Sequence, residues 1–170
     1  MRKKYSVDLP YPSFDGIEKD PISAKIIASA YAGLKGELTA TLQYVYHHYF
    51  FEETNEEIAK ALTGIAISEM HHLEILGKLL LKLGVEPIYS QCPPLKWNFY
   101  SPSEVSYTKN PQKMLMDDIM GELLAIKEYE KMIKLLENEQ VSAVISRIIL
   151  DEELHVKVLK NFLGEQSCFE

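Results

Sequence analysis

Apolar side chains recur along this chain at three- and four-residue intervals, with polar residues between them. The stripe is plainest in Ile58, Leu62, Ile65, Leu73, Leu76, Leu80 and Leu83. That spacing is the signature of amphipathic helices, and local punctuation divides it into four. Asp20-Pro21 supplies an N-cap with proline at the first helical position, and thirty proline-free residues follow to Phe51, predicting a first helix over 21–51. Thr54 and Glu57 form a capping box for a second helix that ends at Leu83 before Gly84. Asn110-Pro111 repeats the cap-and-proline device for a third, running to about Glu137. Asn138 caps a fourth, which stops near Leu163 before Gly164.

The connections run short, long, short. Residues 84–110 are the long one and hold Pro87, Pro93, Pro94 and Pro102. A connection of that length can cross the whole bundle, so that the second and third helices run parallel. The expectation is therefore an all-α four-helix bundle with one long crossover between helices 2 and 3. It forms one domain over 1–170, with the bundle at about 21–163 and an N-terminal tail over 1–20. Trp97, Phe99 and Tyr100 are read as pinning the crossover to the bundle.

The inner stripes are interrupted. Ala30, Leu34, Glu37, Thr41 and Tyr44 share a face of the first helix, and Ile65, Glu69, His72 and Leu76 share one of the second. The third gives Leu115, Ile119, Glu122, Ile126 and Tyr129, and the fourth Ile145, Ile148, Glu152, His155 and Leu159. Glu69–His72 and Glu152–His155 are i, i+3 pairs, so each projects from adjacent turns of one face. Glu37 precedes Glu69 by 32 residues and Glu122 precedes Glu152 by 30, while Tyr44 and Tyr129 each follow their helix's glutamate by seven. The chain thus reads as two similar helical hairpins with equivalent groups at equivalent depth.

Four carboxylates converging in an apolar core repel one another unless something neutralises them. Two divalent cations would cancel the four charges and use the lone pairs, and oxygen donors with imidazole suit iron or manganese. The same donors accept either metal. Tyr44 and Tyr129 either hydrogen-bond the glutamates and a bound oxygen species or are core tyrosines satisfied elsewhere. Asp151 either accepts a proton from a ligand histidine across the bundle or is a solvated acid. His71 is expected to be partly exposed, and His47 and His48 to be polar residues at a helix end.

Composition narrows the partners. A net charge of −7 argues against a nucleic-acid surface. The one basic cluster, Arg2-Lys3-Lys4, is followed by no apolar run that would make a signal peptide. No uncharged run approaches the roughly 18 to 20 residues of a membrane span. Cys92 and Cys168 form no CxxC pair, which suits a reducing cytoplasm and offers no thiolate zinc site.

The segments GELTATLQY (36–44), SEMHHLEILGKLLLKLG (68–84), GELLAIKEYEKMI (121–133) and DEELHVKVL (151–159) resemble the ferritin-like superfamily, in its rubrerythrin and manganese-catalase branches. The likeness spans residues 22–163 and is nearest to short manganese-catalase-like proteins, including the spore-coat type. It implies a ferritin-like bundle with two divalent transition metal ions per chain, Mn or Fe, held by Glu37, Glu69, His72, Glu122, Glu152 and His155. The implied reaction is catalase-like breakdown of hydrogen peroxide in the cytoplasm or in association with a spore, by a homo-oligomer. The alternatives are a peroxide reductase or a dioxygen-using ferroxidase with an external electron donor, or a metal-storage or coat protein. Rubrerythrins usually carry a rubredoxin domain and a further glutamate where this chain has Ala125, which favours the catalase branch. Manganese catalases are generally longer, with C-terminal structure that this chain lacks.

Overall fold

Among the described residues, 5–166 of a computed structural model, five α-helices form: α1 (Pro21–Ala32), α2 (Glu37–Phe51), α3 (Glu56–Lys82), α4 (Pro111–Leu135) and α5 (Glu139–Gln166). Arg2-Lys3-Lys4 and Cys168, on which two of the sequence readings rest, lie outside those residues. The caps are local chemistry. The Asp20 carboxylate accepts from the N–H groups of Ile22 and Ser23, and Asn110 Oδ1 from Lys113 N at 2.8 Å. Asn138 Oδ1 accepts from Gln140 N and Val141 N at the start of α5. The cap of α3 is Asn55, which accepts from Ile58 N at 3.1 Å, and not Thr54, whose hydroxyl donates back to the Phe50 carbonyl.

α1 and α2 together make the first rod of a four-rod, all-α bundle, so the predicted 21–51 helix is in fact two. The cause is Gly33-Leu34-Lys35-Gly36. At Gly36 the chain is extended and passes so close to the end of α1 that a Cβ there would lie 2.4 Å from the Ala30 carbonyl oxygen and 2.8 Å from that of Ser29. Both neighbours are main chain and cannot rotate away. The break carries Leu34 off the inner face to the surface and makes Glu37 the first residue of α2. There the unpaired N–H groups and the helix dipole favour a carboxylate. Gly36→Ala is expected to cost about 1–3 kcal/mol through this overlap. Urea unfolding checks it, and an unshifted midpoint would show that the 29–36 backbone can yield.

α2 packs chiefly on α3 and α4 on α5, giving two hairpins joined by the crossover. Trp97 and Phe99 are 67% and 60% exposed and do not pin it. Asn98, in the left-handed region at φ 60°, turns the chain so that Gln91 N bonds Asn98 O and Tyr100 N bonds Tyr89 O, leaving Trp97 on the turn of a small hairpin. The anchoring falls to other residues. Tyr89 stacks on Tyr31 at 5.6 Å, Tyr100 OH meets Thr39 Oγ1 at 3.3 Å, Val105 is buried, and Tyr107 lies edge-on to Tyr46.

The apolar interior is split into two layers. One is built on Ile27, Leu76, Leu79, Leu80, Leu83, Ile145 and Ile148, the other on Phe51, Ile58, Leu62, Ile65, Met114, Leu115 and Leu159. The inward-facing polar residues lie between them. No described helix is long and apolar enough to cross a membrane.

Candidate metal centre

Between the two layers the four rods bring Glu37, Glu69, His72, Glu122, Glu152 and His155 together, all buried. They form two overlapping groups, Glu37–Glu69–His72–Glu152 and Glu69–Glu122–Glu152–His155, and in each the donor atoms lie within 4.8 Å of one another. Glu69 and Glu152, one from each hairpin, belong to both. His72 Nδ1 lies 3.2 Å from Glu152 Oε1 and 3.6 Å from both Glu37 Oε2 and Glu69 Oε2. His155 Nδ1 lies 3.0 Å from Glu69 Oε1, 3.1 Å from Glu152 Oε2 and 3.4 Å from Glu122 Oε1. Donors about 2.1 Å from a shared cation stand roughly 3.0–3.4 Å apart in octahedral or tetrahedral geometry, so the spacing fits an ion at each imidazole.

Hydrogen bonding points the same way. Glu37 Oε2, Glu69 Oε1, His72 Nδ1 and Glu152 Oε1 are buried without a hydrogen-bond partner. Four such atoms in one cluster are costly unless a cation takes their lone pairs. These buried carboxylate and imidazole groups can bind metal.

The electrostatics show what a cation replaces. Burial, with the charges of Glu69 and Glu152, pushes Glu37 and Glu122 well above the ordinary carboxylate range. Burial also acts to raise Glu69, but the His72 charge, with Glu37 and His155 close by, overcomes it and holds Glu69 low. For His72 burial acts to lower, and the Glu152 and Glu69 charges overcome it; for His155 the Glu122 charge does so. Without an ion the site is held together by protons, and a metal entering it must displace them.

The surrounding residues orient these side chains. Tyr44 OH donates to Glu122 Oε1 and Tyr129 OH to Glu37 Oε1, so each hairpin's tyrosine holds the other hairpin's glutamate. Burial and those carboxylates raise both phenols well above their usual range, which keeps them donors. Asp151 is fully buried and accepts from His72 Nε2 at 3.2 Å. His155 Nε2 donates to the Tyr5 carbonyl at 2.8 Å. A carbonyl can only accept, so Nε2 carries a proton and Nδ1 is the nitrogen that faces the glutamates.

His47 is a correction. It is fully buried rather than a polar helix end, with Nε2 donating to the Ser106 carbonyl at 2.9 Å and Nδ1 2.8 Å from Asp118 Oδ1, which Gln43 Nε2 also reaches. His47 continues the inner face of α2 one turn past Tyr44, and Asp118 lies one turn before Glu122. Extending the two inner stripes by a turn would have found them. His71 is exposed, its ring edge-on to Tyr11.

A cavity of about 470 Å³ opens between the α1–α2 break and α4. Gly33, Lys35, Met120 and Glu128 are on its wall, and Glu37, Glu69, Glu122, Tyr44 and Tyr129 line it as well. His72, Glu152 and His155 do not line it. The centre thus has a reachable carboxylate side and a closed histidine side.

The ferritin-like domain family matches residues 31–168. Similar solved structures include KatB, a manganese catalase from Anabaena, at 24% identity and TM-score 0.80, covering 94% of this chain and 79% of that one. A Rhodobacter capsulatus bacterioferritin with a metal-free dinuclear site is similar at 21% identity and TM-score 0.70, covering 90% of each chain. A dodecameric thioferritin from Bacteroides fragilis shares 19% identity at TM-score 0.70, over 86% of this chain and 89% of that one. At these identities the likeness shows a shared fold. A search of curated proteins by sequence gave no match.

Proposed function

Because the chain belongs to the ferritin-like domain family, we propose that it is a dinuclear metal oxidoreductase that breaks down hydrogen peroxide as a catalase does. The observation carrying this reading is the set of four unpartnered donor atoms within two overlapping groups that have Glu69 and Glu152 in common. Two ions, manganese or iron, would be held by Glu37 and His72 on one side and Glu122 and His155 on the other, with Glu69 and Glu152 common to both. Once bound, such a pair supplies two-electron redox chemistry, by which two molecules of hydrogen peroxide give two of water and one of dioxygen.

The chain's own residues do the rest. The cavity brings peroxide to the carboxylate side of the centre, which Glu37, Glu69 and Glu122 line. Tyr44 and Tyr129 orient Glu122 and Glu37, and the apolar layers limit water around the ligands. Ala125, on the cavity wall one turn after Glu122, adds no further carboxylate, and neither ligand group contains a thiolate. The likeness to a manganese catalase favours the catalase reading. The exposed thiol of Cys92 suits a reducing compartment such as the cytoplasm. Assembly as a homo-oligomer accords with the dodecameric relative.

A second reading has its own support. Glu104, Asp117, Asp118 and Glu128 also line the cavity, an acidic surface suited to passing cations inward. That suits ferrous oxidation or storage, and the bacterioferritin likeness agrees with it.

The deciding experiment measures metal per chain by plasma mass spectrometry, on protein from cells supplied with iron and manganese. Oxygen evolution from peroxide is then measured on the same sample without reductant. Two ions per chain with dioxygen release is the expected result. Two irons without dioxygen would move the assignment to ferrous oxidation or to peroxide reduction with an outside donor. Bound metal with no turnover would indicate storage or a coat, and a folded protein without transition metal would end the dimetal reading.

A further inference from the structure

The closed side of the centre is built from the N-terminal segment, and we propose that residues 5–11 are a positioning element for both ligand histidines, seated on the bare backbone of Gly64. This inference rests on the dimetal reading and adds to it a part of the chain outside the four rods. His155 Nε2 ends on the Tyr5 carbonyl at 2.8 Å. His72 Nε2 ends on Asp151 Oδ2, which also takes Ser6 Oγ at 2.8 Å and Tyr11 OH at 2.7 Å, while Asp151 Oδ1 takes Val7 N at 2.6 Å. The outward nitrogen of each imidazole is therefore fixed by this segment, directly in one case and through a single carboxylate in the other.

The segment is fastened at two points. Arg147, buried on α5, donates to the carbonyls of Val7 and Leu9, pairs with Asp151 at 2.9 Å and lies 4.4 Å from the centre of the Tyr11 ring. At the other end the Tyr5 ring packs onto the apolar layer of Phe51, Ile58 and Leu62, directly over Gly64 within α3. A Cβ at Gly64 would lie 2.1 Å from Tyr5 Cδ2, 2.4 Å from Cε2 and 3.0 Å from Cγ. Glycine is less favourable than alanine inside a helix. Its place here is explained by the ring it admits. Partners of a ligand histidine's second nitrogen fix its tautomer and direction, and losing one typically weakens metal binding by about 10- to 100-fold.

Gly64→Ala separates this role from a merely structural one, because helix propensity alone predicts a more stable protein. The probe is cobalt(II), whose paramagnetism shifts the Nε2–H protons of coordinated histidines away from other resonances. Wild-type protein should show two such exchangeable protons. In Gly64→Ala one of them, that of His155, should exchange with water at least about tenfold faster. Cobalt release to a chelator should quicken by about 10- to 100-fold, while the metal-free melting temperature does not fall. Tyr5→Ala, a change in the tail that leaves the rods intact, should give the same proton and release behaviour and serves if the first variant does not fold. Two unchanged protons and an unchanged release rate in either folded variant would overturn the proposal. Wild-type protein that takes up no cobalt would overturn it together with the dimetal reading. Cobalt uptake with no peroxide breakdown in the manganese or iron forms would end the catalase reading alone.

Discussion

If the centre is the dimetal catalase proposed above, Glu69→Gln should strip the protein of both ions and abolish peroxide breakdown, with a loss of about a hundredfold or more in each. Glu69 belongs to both ligand groups, 3.0 Å from His155 Nδ1 and 3.6 Å from His72 Nδ1, so its charge serves both positions at once. It is also the carboxylate that its neighbours hold ionised, while Glu37 and Glu122 are pushed toward their protonated forms. The amide keeps the volume, so the apolar layers on either side are undisturbed. What it removes is one negative charge and one lone-pair donor, replaced by N–H groups facing a cation. Losing an outer partner of a ligand costs about 10- to 100-fold in metal affinity, and a shared ligand should cost at least that. Glu37→Gln is the control: it touches one group only and should spare the ion at His155 more than the ion at His72. Metal analysis and initial rates on the two variants make the comparison. A Glu69→Gln protein retaining two ions would remove Glu69 from the ligand set.

Removing the metal should lower the melting temperature by roughly 10–20 °C. An ion present at a hundred times its dissociation constant stabilises the native state by about 2.7 kcal/mol, so two give about 5 kcal/mol. In a chain of this size each kcal/mol moves the midpoint by about 2–4 °C. The direction follows from the site itself: without ions the bundle must keep four glutamates together in an apolar interior, on borrowed protons. Calorimetry before and after dialysis against a chelator measures the shift. Superimposable melts would mean that the cluster is not a metal site.

Much of this was written in the sequence. Helix starts at Asp20, Asn110 and Asn138 were legible because a cap acts within one turn of itself. The six candidate ligands were legible because buried charge breaks an apolar stripe, and the fixed helical period tells which residues share a face. The break at residues 33–36 was missed because each glycine alone is tolerable in a helix. What forces the break is the approach of Gly36 to the Ala30 carbonyl, a contact that exists only in three dimensions. His47 lay on the inner stripe of its helix, but its pairing with Asp118, 71 residues away, is visible only in the folded bundle. The Tyr5 carbonyl had no signal at all, since a main-chain acceptor is the same at every residue.

The crossed tyrosines have a consequence in time. Tyr44 of the first hairpin holds Glu122 of the second, and Tyr129 of the second holds Glu37 of the first, so neither hairpin alone can fix its own lone glutamate. Each ligand group likewise draws residues from both hairpins. Contacts within a hairpin are local and close early, whereas docking the hairpins must close the long crossover loop and comes late. On the dimetal reading, the ion-binding site is therefore expected to form only after the rate-limiting barrier has been crossed. Ions that bind such a late-forming site slow unfolding and leave the refolding rate as it was. Stopped-flow refolding and unfolding with and without bound metal should show the change on the unfolding limb alone, and equal effects on both limbs would mean that the site forms before the barrier. On this account the metals are a latch set after the halves have met, governing how long the fold lasts and having no say in how quickly it is reached.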